Sequence, residues 1–62
     1  MKDMIETLRK LRGDAEDCDL ISNLATDPTK RETFAKLALR LRQSAADIEQ
    51  VVSEQRAAGD LT

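Results

Sequence analysis

A chain of 62 residues is one domain at most, and a core of that size is marginal unless a metal, disulfides or a second subunit supports it. With one cysteine, Cys18, and no histidine, neither an intramolecular disulfide nor the common zinc-ligand sets can form within the chain, which leaves oligomerisation as the stabiliser. Ten basic against twelve acidic residues, with Phe34 the sole aromatic, argue against a strongly electrostatic binder of nucleic acid or anionic membrane and against a base-stacking platform.

Met1-Lys2-Asp3-Met4-Ile5-Glu6 carries no apolar signal segment, and no apolar run nears the roughly 20 residues of a membrane span. A cytoplasmic protein is expected, a reducing setting that suits the unpaired thiol. Asp3 with Glu6 resembles a capping box, so a first helix is expected from about residue 3 to about 25. Met4, Leu8, Leu11, Ala15, Cys18, Ser22 and Ala25 follow alternating four- and three-residue spacing, one narrow stripe of that helix. Ile21 and Leu24 widen it towards its end. Gly13-Asp14 is either a weak point inside one helix or the start of a new one. Continuity is preferred because the stripe passes from Leu11 to Ala15 in register.

Ala25-Thr26-Asp27-Pro28-Thr29 is the corner. Pro28 lacks an N–H and disfavours helical geometry at Asp27, so Asp27 reads as an N-cap and Pro28 as the first helical residue. The second helix is expected over about 28–58, with Phe34, Ala38, Leu41, Ala45, Ile48, Val52 and Gln55 as its stripe and Leu37, Ser44 and Val51 beside it. The mixture of large and small residues suits close helix packing. Gly59 is expected as a left-handed C′ residue, with Asp60-Leu61-Thr62 fraying.

Charge falls in blocks that run basic, acidic, basic and acidic, and folding at the corner sets each block beside its opposite. Exposed pairs contribute only ~0.2–1 kcal/mol apiece, so this supports antiparallel register more than stability. The fold expected is all-α, an antiparallel helical hairpin spanning residues 1–62 that dimerises into a four-helix bundle. Val51, Val52 and Gln55 are expected to be partly uncovered in one chain, because the second helix is the longer. The interface is expected at Ile21, Leu24, Leu37, Leu41, Ile48 and Val51, extended by Leu20 and Leu39.

Ala15-Glu16-Asp17-Cys18, Asn23-Leu24-Ala25-Thr26-Asp27-Pro28, Arg31, Phe34, Leu37-Ala38 and Leu41-Arg42 together resemble a family of short proteobacterial helical-hairpin proteins. That family carries A-E-x-C, then A-x-D-P, then R-x-x-F/L-x-x-L-A and W/L-R. The resemblance covers roughly residues 14–50 and implies a hairpin; no activity comes with it.

Catalysis is not expected. Cys18 sits on the apolar stripe between Asp17 and Asp19 with no histidine to activate it, which is the setting of a core cysteine, although at a two-fold axis it could oxidise to an intermolecular disulfide. Asp14, Glu16, Asp17 and Asp19 lack the glycine and distal glutamate of a calcium loop and read as a solvated face. No nucleotide, hydrolase or metalloprotease motif occurs, and no cofactor is implied. Two functional expectations remain. The first is a non-enzymatic interaction protein acting through its amphipathic helices, by self-association or on a protein partner. The second is a dimeric nucleic-acid binder resembling Rop-type hairpins, with Lys36, Arg40, Arg42, Arg9 and Arg12 forming a basic belt.

Overall fold

A computed structural model describes the backbone of residues 2–60 and the side chains of residues 2–57. Two helices, α1 (Lys2–Leu24) and α2 (Pro28–Asp60), are joined by a three-residue corner and pack against each other along most of α1. The hairpin measures 53 × 15 × 12 Å, its long dimension set by the 33 residues of α2 at about 1.5 Å per residue. Among the described residues, no helix is long and apolar enough to cross a membrane.

The corner follows from its chemistry. The Thr29 N–H donates to Asp27 Oδ1 at 3.0 Å, and the Arg31 N–H donates to the Asp27 carbonyl at 3.0 Å. Asp27 thus takes the N-cap, and Pro28 stands where no N–H is needed. On the other side, the Ala25 N–H is shared between the carbonyls of Ile21 at 2.9 Å and Ser22 at 3.3 Å, which closes α1. Ser22 ties the ends of the helices together, its hydroxyl donating to the Arg31 carbonyl at 2.8 Å.

The core is the pair of stripes read from the spacing. Ala15, Cys18 and Ser22 of α1 and Ala38, Ala45 and Val52 of α2 are buried; Met4, Leu8, Leu11, Phe34, Leu41 and Ile48 are half-buried. Small residues occupy the contact line because they let two backbones approach closely. One helix cannot enclose a large side chain of the other, and among the described residues no large side chain is fully buried.

Several boundaries differ from expectation. Helix α1 begins at Lys2, so Asp3 lies in the first turn instead of capping it; there its charge complements the helix dipole and its carbonyl accepts from the Thr7 hydroxyl at 2.8 Å. Gly13 is helical, with negative φ, and α1 is continuous through it. Gly59 is not a left-handed cap: α2 runs through it to Asp60, since a penalty of about 1 kcal/mol does not stop an established helix. Asp60 is helical, while Leu61 and Thr62 lie outside the described residues. Val52 is buried rather than partly uncovered because α1 still reaches its level, whereas Gln55 is exposed and the stripe ends before it.

Candidate interaction surface

Consecutive residues of a helix are turned by about 100°, so those just before and just after each seam residue lie on opposite flanks of the hairpin. Arg12 and Asp19 follow the seam residues Leu11 and Cys18; Arg42 and Glu49 follow Leu41 and Ile48. Their ion pairs identify this as one shared flank: Arg12 Nη2 meets Glu49 Oε2 at 2.5 Å, and Arg42 meets Asp19. Together they straddle the seam. The hydrogen bond from Arg42 holds the Asp19 carboxyl below the usual carboxylate value, and Asp19 in turn raises Arg42. Between the two pairs, Ala45 and Ala46 leave an open cleft of about 350 Å³, rimmed by Arg12, Glu16, Arg42 and Glu49.

The other flank has no ion pair across the seam among the described residues. It is formed by residues that precede the seam positions: Asp3, Thr7, Lys10, Asp14, Asp17 and Ile21 on α1, and Thr33, Leu37, Arg40, Ser44, Asp47 and Val51 on α2. Ile21 is 39% exposed, Leu37 40% and Val51 39%. The hydroxyls of Thr7 and Thr33 donate to the carbonyls of Asp3 and Thr29 within their own helices. A smaller hollow of about 160 Å³ opens beside Met4, Thr7 and Ile48. One flank is thus closed by ion pairs across the seam, while the other sets Ile21, Leu37 and Val51 among charges that pair across the seam with nothing among the described residues.

The residues expected at an interface divide into three groups. Leu41 and Ile48 lie half-buried in the seam within the chain. Ile21, Leu37 and Val51 share the open flank. Leu20 and Leu39 are exposed and turned away from the seam, and Leu24, 73% exposed, ends α1. Of the residues expected to form a basic belt, Arg9, Arg12 and Arg42 follow seam positions and share the closed flank, where Arg12 and Arg42 are engaged in ion pairs and Arg9 borders a shallow hollow with Ile5, Leu8 and Arg12, whereas Arg40 lies on the open flank. Lys36 pairs with Glu32 at 3.0 Å one turn away. Cys18 is a free thiol buried in the seam. The acidic cluster is split, with Asp14 and Asp17 to one side of the seam and Glu16 and Asp19 to the other. Sequence reasoning missed the asymmetry of the flanks, because charged residues stand both before and after the seam positions and only the packing decides which of them pair. Comparison with models of known protein families, with curated proteins and with solved structures finds no significant match to this chain.

Proposed function

We propose that this chain is a non-enzymatic interaction protein, working through the open flank of its hairpin and self-associating into an antiparallel four-helix bundle. The observation that carries the reading is the incomplete core: the buried residues are small, and Leu8, Leu11, Phe34, Leu41 and Ile48 are only half-covered while Ile21, Leu37 and Val51 border them in the open. At roughly 25 cal/mol per Å² of apolar surface removed from water, a second layer supplies burial that one pair of stripes lacks. A cytoplasmic setting belongs to the same proposal and suits the free Cys18.

Analytical ultracentrifugation over a wide concentration range, with helicity followed by circular dichroism on the same samples, tests it. A helical dimer whose helicity falls on dilution is expected. A fully helical monomer at micromolar concentration refutes self-association. A nucleic-acid reading has less support, because Arg12, Arg42 and Lys36 already have carboxylate partners within the chain.

A further inference from the structure

Ser44 is the central residue of α2, Pro28–Asp60, and lies on the open flank. Leu37 and Val51, the two large apolar residues of that flank on this helix, stand at equal distance from it on either side, two turns away. Arg40 and Asp47 stand nearly symmetrically between them and belong to none of the ion pairs among the described residues. The N-terminal half of α2 is net basic, with Lys30, Arg31, Lys36, Arg40 and Arg42 against Glu32, and its C-terminal half net acidic, with Asp47, Glu49, Glu54 and Asp60 against Arg56. Such a helix is complementary to itself when turned end for end.

We propose that a second copy of this chain covers the open flank, with the two α2 helices packed antiparallel about a two-fold axis at Ser44. The inference rests on the self-association reading and specifies its geometry. At the axis the small serines allow close approach. Leu37 of each copy meets Val51 of the other, and Arg40 of each meets Asp47 of the other, so one row satisfies both the apolar and the charge demand twice. The end of α2 past Val52, which nothing in α1 covers, then lies along the start of α2 in the other copy. The competing arrangement, α1 of one copy on α2 of the other, also offers Arg40 and Asp47 opposite charges, in Asp14, Asp17 and Lys10, but it leaves both projecting ends bare.

The test is a charge exchange read by sedimentation. Arg40→Glu and Asp47→Arg each place like charges across the axis, and each is expected to raise the dimer dissociation constant by about tenfold. The double variant restores the wild-type value, because the pairs reform with reversed sign. In parallel, Ser44→Cys with Cys18→Ala is oxidised and run on a non-reducing gel, where a disulfide-linked dimer is expected. Ser44→Cys with Cys18 retained serves as the second variant should the buried Cys18→Ala change unfold the chain. A dimer that forms but is neither cross-linked at position 44 nor restored by the double variant overturns this axis and leaves self-association standing. A helical monomer throughout overturns both.

Discussion

Ala38 is the most completely enclosed side chain of the seam, with no exposed surface, and so tests whether the two helices meet where the spacing sets them. Ala38→Leu adds three carbons at a point of close backbone approach. The helices must separate or a side chain must leave its rotamer, at a cost of about 1–3 kcal/mol. On the usual scale of ~0.05–0.15 kcal/mol per residue, 62 residues hold about 3–9 kcal/mol in all, so the loss is a substantial fraction of the whole. It corresponds to a fall in Tm of roughly 4–24 °C. Ala35→Leu, the same change at an exposed position of the same helix, should stay within about 0.5 kcal/mol. Urea unfolding followed by far-UV circular dichroism is the assay, since the chain has no tryptophan or tyrosine, and protein concentration must be held constant because association adds to apparent stability. An Ala38→Leu midpoint equal to wild type, or an equal loss at Ala35→Leu, would refute the seam.

Asp27→Ala removes the acceptor of the Thr29 N–H and should cost about 0.5–2 kcal/mol in the same assay; a neutral outcome would mean that water caps α2 as well. Gly13→Ala should stabilise by about 0.4–1 kcal/mol, since the residue is helical and an added Cβ meets nothing within 4 Å; destabilisation would point to a contact that the isolated hairpin lacks. Asp19 should titrate below its ordinary 3.8 because Arg42 hydrogen-bonds its carboxylate, and Arg42→Gln should move the midpoint back up, as read by NMR. Because the folded-state value is the lower one, the stabilisation from this pair is present above the unfolded value and is lost as pH falls through the folded value. An unchanged Asp19 midpoint in Arg42→Gln would show that the pair does not persist in solution.

Much of the hairpin was legible because its signals are local. Asp27-Pro28 is a start signal that depends only on a missing N–H and a carboxylate within reach of the next turn, and the structure places the cap there. Alternating four- and three-residue spacing marks a stripe whatever it packs on, and Ala15, Cys18, Ala38, Ala45 and Val52 are buried accordingly. The ends are less legible: Asp3 with Glu6 has the pattern of a cap and Gly59 that of a stop, but the cooperativity of an existing helix carries it past weak local signals.

The candidate surface needed the third dimension. Charge blocks in the chain imply antiparallel pairing but cannot say that Arg12–Glu49 and Arg42–Asp19 fall on the same flank, which depends on how both helices are rotated about their axes. Nor could spacing show that the enclosed residues would be the small ones. Local chemistry by itself determined where the chain turns and which stripe each helix turns inward. The packing of α1 on α2 decided which flank closes with charge and which stays open, because those depend on side chains far apart in the sequence meeting across the seam.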